Sequence, residues 1–263
     1  MANSKFSYCA AQVKEHDPDR YMLTLFCPEE SHDALFALFA FNYEIAKTRE
    51  IVSETQLGLI RLQWWRDAIE KIYTDGEVLE HEVLKPLAKA IEEHTLPREH
   101  FEKLIYAREF DLEDKMPGNL DGLVHYADFT TSPLNSLAAK ILGDNDSEPI
   151  PAISINYALS GILRAVPAFA KQRRCLLPED LMKKHGQSMN QLYEFKRADT
   201  LPEIIKEISE IIVPGVKTEN IFLQKSQKLA LIYKKQLRNA GYDPFHGRIL
   251  MPPLFKNIRM LLP

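Results

Sequence analysis

Apolar and polar positions alternate at the helical period along nearly the whole chain. In "PEESHDALFALFAFNYEIA", Pro28 stands at a helix start, acids fill the first turn, and Leu35, Leu38, Phe39 and Ile45 recur at helical spacing. The apolar residues between them predict a helix buried on more than one side. "LGLIRLQWWRDAIEKIYTDG" repeats the period with Leu59, Leu62, Trp65, Ile69 and Ile72, places Arg61, Arg66 and Lys71 on another face, and stops at Asp75-Gly76. A turn at Asp17-Pro18 leads into a short helix before these two. Further helices are predicted over 82–94, 98–116, 121–142, 149–167, 178–184, 188–197 and 201–211, with a long one over 217–240. Prolines at 97, 117, 149, 178, 202 and 214 punctuate them. There is no strand pair, fixed-period repeat or low-complexity tract. The pattern predicts one all-α bundle over residues 1–263. After Gly241, "YDPFHGRILMPPLFKNIRMLLP" predicts a turn and a last apolar segment that packs back on the bundle.

Composition agrees with helices. Of 263 residues, 45% are apolar and only 10 are glycine, with Leu, Ala, Glu, Lys and Ile dominant. The 33 basic and 37 acidic residues leave a net charge of −4, so no global attraction to nucleic acid or to an anionic membrane is expected, and any such contact must be local. Cys9, Cys27 and Cys175 are an odd set without a Cys-x-x-Cys pair, which argues for a reducing compartment and against a disulfide or zinc framework. "MANSKFSYCAAQV" reads as neither a secretory signal nor a transit peptide, and no unbroken run reaches the roughly 18 apolar residues of a membrane span. The expectation is a soluble or peripheral protein, placed in a bacterial cytoplasm or against the inner membrane, or on the mitochondrial matrix side in a eukaryote.

Several chemistries are excluded by what is missing. There is no Gly-x-Gly-x-x-Gly, no phosphate-binding glycine loop, no Gly-x-Ser-x-Gly and no His-Glu-x-x-His. The eight histidines show no ligand spacing, and "KQRR" at 171–174 is too short for a nucleic-acid stripe. Nucleotide and nucleic-acid binding are not expected.

The order of the remaining motifs carries a resemblance. "FALFAFNYEIAKTRE", "LQWWRDAI", "PLAKAI", "FEKLIYAREFDLE", "YADFTTSPL" and "GILRAVPAFAKQRRCLLPEDLMKKHG" together resemble the squalene/phytoene synthase family. Trp65-Arg66, the Arg108 to Leu112 segment, Tyr126 and Leu177-Pro178 match it in sequence and order. The resemblance implies an all-α fold of the isoprenoid-synthase type, whose enzymes condense two prenyl diphosphates head to head. In them two acidic helix segments hold magnesium, which takes hard oxygen ligands and neutralises the departing diphosphate.

Where the first of those segments has Asp-Asp-x-x-Asp, this chain has Ala46, Lys47, Thr48, Arg49 and Glu50. Where the second has Arg-Asp followed by an acid pair, an ungapped match gives Arg164, Ala165, Val166, Pro167, Ala168 and Phe169, with Pro167 expected to interrupt the helix. Unlike charges a few Å apart are worth about 4 kcal/mol each at an effective dielectric near 20, so this exchange removes more than a ligand's usual binding energy. The resemblance therefore implies no metal and no cofactor, with magnesium entering only if the chain is a prenyl diphosphate transferase with an unusual metal site.

Departures of this kind resemble the family's non-catalytic branch, assembly factors for respiratory complex I, which implies a complex I subunit or assembly intermediate as partner. A third reading keeps the old cavity for a prenyl lipid or quinone. Phe39, Tyr43, Trp65 and Tyr126 are its candidate lining, within an aromatic set that includes Phe36, Phe41 and Trp64 and that core packing explains equally. Lys47, Arg164, Arg173 and Arg174 either bind an anion in place of metal or form structural ion pairs. "REFDLED" at 108–114 reads as a solvated charged face, Glu44 with Glu50 as a salt-bridged surface pair, and Cys175 as a thiol whose pKa Arg173 and Arg174 lower.

Overall fold

Capping chemistry sets where the first helices start. Ser7 Oγ accepts from the Ala10 amide to open α1 (Tyr8–His16), and Asp17 accepts from Arg20 N to open α2 (Pro18–Thr24), whose proline occupies the first turn. The Asp17 carboxylate also takes a 2.6 Å bond from the Arg20 guanidinium. A short 3₁₀ turn, Glu29–Ser31, leads into α3 (His32–Ala46). The computed structural model describes residues 7–145, 147–196 and 199–262, and among them there is no strand.

Two compact units emerge. The first takes the described part of Met1–Glu113 with Ser132–Glu148 and Glu219–Leu223; the second takes Asp114–Thr131, the described parts of Pro149–Thr218 and of Gln224–Pro263. In the first, α3 is the central element. Every residue from Ala34 to Asn42 on it is buried, because α1, α2, α6 (Leu84–His94) and α7 (Arg98–Leu112) pack around it. The short α4 (Thr48–Ile51) and the long α5 (Thr55–Thr74) complete this unit, α5 lying along α7. Their approach is close at Gly58, where a Cβ would stand 2.6 Å from Leu112 Cδ2. The buried positions of α5 are Gly58, Leu62, Trp65, Ala68 and Ile69, so Leu59, expected on that stripe, is corrected to the exposed side.

Helix α8 (Leu120–Ile141) belongs to the second unit through Thr131 and to the first from Ser132. In the second unit, α9 (Ile150–Lys171) sends Leu159, Ile162, Leu163, Val166 and Ala170 into a core shared with α11 (Met189–Tyr193) and α12 (Leu201–Glu210). By length and apolar content α9 is long enough to cross a membrane. Its buried Asn156 instead donates to Val213 O at 2.8 Å and accepts from Val213 N at 3.1 Å, which is core-helix chemistry. Between α9 and α11, α10 (Glu179–Lys184) has Pro178 as its N-cap, and its first amides donate to Pro117 O and Gly118 O. Ser188 and Gln191 form a full capping box at α11.

Helix α13 (Ile221–Asn239), whose residues from Gln224 lie in the second unit, is followed by α14 (Gly247–Leu250) and α15 (Lys256–Leu261). The last segment packs back only in part. Ile249, Pro253 and Met260 are buried, whereas most of the other apolar side chains there stay in solvent, correcting the expected burial of the whole segment.

Candidate functional site

The segment expected in place of the first acidic motif is not one helix. α3 ends at Ala46, Lys47 is the joint, and α4 begins at Thr48, so Ala46 and Glu50 are on different helices and no single-face spacing survives. Glu50 is exposed. The chemistry has moved one turn back, to Glu44, which is buried rather than at the surface as its sequence context suggested. Lys47 Nζ donates to its Oε1 at 2.6 Å and Arg61 Nη2 to its Oε2 at 2.8 Å, so both oxygens are engaged. Lys47 Nζ also stands 5.0 Å from the centre of the Tyr43 ring, which in turn stacks on His16 at 4.1 Å. Burial, with Glu50 and Glu44 adding to it, pushes the Tyr43 phenol up.

The neighbouring charges in this unit are equally absorbed. Arg66 Nη2 donates to Glu109 at 2.7 Å and its Nε to Glu102 at 3.2 Å. Asp111 is buried and takes a 3.2 Å bond from Arg108, which reaches Asn42 Oδ1 with its other nitrogen. The "REFDLED" run is thus a packed ion-pair segment at Glu109 and Asp111, not a solvated face throughout, because Arg66 from α5 reaches Glu109 and the run's own Arg108 folds back on Asp111. Of the aromatic residues nearby, Phe39, Phe41 and Trp65 are core, whereas Tyr43 is half-buried and Trp64 exposed. Phe41 meets Trp65 and Phe101 edge to face at 5.5 and 5.4 Å, and Phe39 stacks on Phe222 at 5.4 Å. His81 faces the edge of Trp65 at 5.0 Å, and burial holds its imidazole below its ordinary pKa. Sequence reasoning set Arg61 apart only as part of a charged face and gave no role to Asn42 or His81. The spacing of Arg61 from Glu44, 17 residues and a helix apart, carries no local signal.

The second segment behaves differently. Pro167 does not interrupt α9, which continues to Lys171. Proline's fixed φ fits a helix, and although it removes one backbone bond, Leu163, Val166 and Ala170 hold the turn in the core. Arg164 lies with its guanidinium 3.6 Å from the centre of the Tyr233 ring. Ala165 is half-buried, Ala168 exposed, and Phe169 half-buried under Arg174, whose guanidinium is 5.2 Å from its ring.

Beyond α9 the chain turns sharply. Arg173 has φ +54° and its guanidinium lies 5.5 Å from the Tyr193 ring. Arg174 N closes the helix on Phe169 O at 2.8 Å, and its side chain donates to the Tyr126 hydroxyl at 3.1 Å. Cys175, Leu176 and Leu177 then enter the core. Burial pushes the Cys175 thiol up to about 11, which overturns the expected lowering by the adjacent arginines. The same cause carries Cys9 and Cys27 to about 12. Among the described residues no group of three or more His, Cys, Asp or Glu side chains is gathered as a metal would need.

Comparison with known proteins fixes the lineage. The family model for squalene/phytoene synthase matches residues 13–212. The chain belongs to the squalene/phytoene synthase family. Its helices superpose on the crystal structure of the squalene synthase HpnC from Alicyclobacillus acidocaldarius with a TM-score of 0.76 at 16% identity, covering 90% of this chain and 94% of that one. That likeness shows the isoprenoid-synthase fold of the family. In sequence the chain is similar to NADH dehydrogenase (ubiquinone) complex I, assembly factor 6, from Bos taurus, 31% identical over 252 residues, which span 91% of this chain and 75% of that protein. The Homo sapiens protein of that name is 33% identical over 205 residues, 77% of this chain and 61% of its own length.

Proposed function

We propose that this member of the squalene/phytoene synthase family is a non-catalytic assembly factor for NADH:ubiquinone oxidoreductase, acting through a complex I subunit or an assembly intermediate. Similarity to assembly factor 6 over 91% of the chain supports the role. The observation that carries the non-catalytic reading is Glu44. It is the buried carboxylate beside the first motif, and both its oxygens are bound by Lys47 and Arg61. A divalent cation there would have to displace two internal cations and meet their charge at close range. At the second segment, residues 164–169 carry no carboxylate, and Arg164 lies against the Tyr233 ring.

The family match runs across both compact units, which supports the chain working as one domain. The reading places the protein on the inside of the membrane that carries complex I, the cytoplasm of a bacterium or the matrix of a mitochondrion. Two tests separate the readings. Purified protein incubated with farnesyl or geranylgeranyl diphosphate and magnesium is expected to release no diphosphate, and steady turnover would establish the transferase alternative instead. Deleting the gene is expected to deplete assembled complex I, and an intact, active complex would remove the assembly reading.

A further inference from the structure

The residues from Pro244 onward contain Arg248, Lys256 and Arg259 and no Asp or Glu. Most of their apolar side chains are exposed. Leu254 is 77% exposed, Leu261 70%, Met251 68%, Leu250 and Phe255 66% each, and Ile258 56%. This is not loose chain, because its backbone is strapped down by α13. Gln236 Nε2 donates to the carbonyls of Arg248 and, at 2.9 Å, Met251; Lys225 Nζ donates to Met260 O at 2.8 Å; Lys228 Nζ donates to Leu262 O. Ile249, Pro253 and Met260 anchor the other side in the core. Polar groups are therefore used to fix the backbone while apolar side chains are held in water, an arrangement that costs stability unless something apolar covers it.

We infer that segment 248–262 is a lipid-facing surface that seats the protein on an anionic bilayer. Charge chooses this occupant. Arg248, Lys256 and Arg259 lie within the apolar segment and Lys225 and Lys228 support it from α13, so acidic headgroups meet cations while the leucines and Phe255 enter the acyl boundary. The cations are close enough to feel one another: burial first, then Lys225 and Arg259, hold the Lys228 ammonium below its ordinary value. A second copy meeting this face would bring like charges together. The inference deepens the membrane-side location proposed above, and its test uses lipid alone, so its failure leaves the assembly reading standing.

The full chain is mixed with vesicles of phosphatidylcholine, alone or with phosphatidylglycerol, and sedimented. Binding to the phosphatidylglycerol vesicles is expected to be at least ~10-fold tighter and to weaken as salt rises. Leu254→Glu with Phe255→Glu, at side chains already in solvent, is expected to keep the wild-type melting temperature and to lower vesicle binding by about 10-fold or more. Arg248→Glu with Arg259→Glu should abolish the preference for phosphatidylglycerol. The inference is overturned by absence of vesicle binding, by a Leu254/Phe255 variant that binds as tightly as wild type, or by light scattering that shows this face joining two copies instead.

Discussion

The two segments proposed to stand at the family's acidic motifs handle their charges by different physics. In the first unit a buried carboxylate, Glu44, is neutralised by two half-buried cations, Lys47 and Arg61. In the second the cations remain, Arg164, Arg173 and Arg174, and each lies against an aromatic ring, Tyr233, Tyr193 and Phe169. The difference bears on fragility. A buried ion pair holds charges that become costly when one partner is taken away, whereas a cation on a ring loses a modest attraction.

The largest effect should therefore come from Glu44→Ala, which strands Lys47 and Arg61. We expect a loss of about 3 kcal/mol in urea unfolding, and a loss under 1 kcal/mol would mean the cluster is solvated and the contrast false. Next, Lys47→Glu puts a second carboxylate beside Glu44. It should cost about 2 kcal/mol and create no diphosphate-releasing activity, and gain of turnover from this single change would count against the non-catalytic reading. Arg164→Ala should cost about 1 kcal/mol, with Arg164→Lys recovering part of it, since an ammonium also binds a ring face; equal losses for Glu44→Ala and Arg164→Ala would erase the distinction.

The smallest effect sharpens the comparison through pH. The thiols of Cys9, Cys27 and Cys175 have folded pKa values raised to about 12, 12 and 11, from an ordinary value of 9.0. Their contribution to stability is complete below pH 9, because folded and unfolded thiols are both neutral there. It is lost as pH rises from 9 through the folded values, where the unfolded chain ionises first. Alkaline titration of the melting temperature should show that decline. A native Cys175 that alkylates at neutral pH as fast as an unfolded one would show that burial does not protect it.

Much of the architecture was legible in the chain because helical periodicity is local. The breaks at Asp75-Gly76, Pro97 and Pro178 coincide with helix ends, and the motif order pointed to the family that the comparisons show. Helix α1 was not anticipated: nine residues starting at Tyr8 with only Cys9, Ala10 and Val13 buried give too short a stripe, and it is held against α3 by packing. Pro167 carries a local penalty that the sequence shows, and the core under α9 outweighs it. Leu59 and the tail's leucines were assigned inward by period, which gives a face but not what covers it.

By itself, then, the sequence determined the all-α class, most helix positions and the family, since each depends on neighbours along the chain or on residue identity. Only the tertiary structure decided that Glu44 is buried between Lys47 and Arg61, that Cys175 is shielded instead of activated, and that the last segment shows its apolar side chains to solvent. Burial and pairing depend on which distant side chains arrive at the same place, and a charge 17 residues away becomes a hydrogen-bond partner only once the helices have packed.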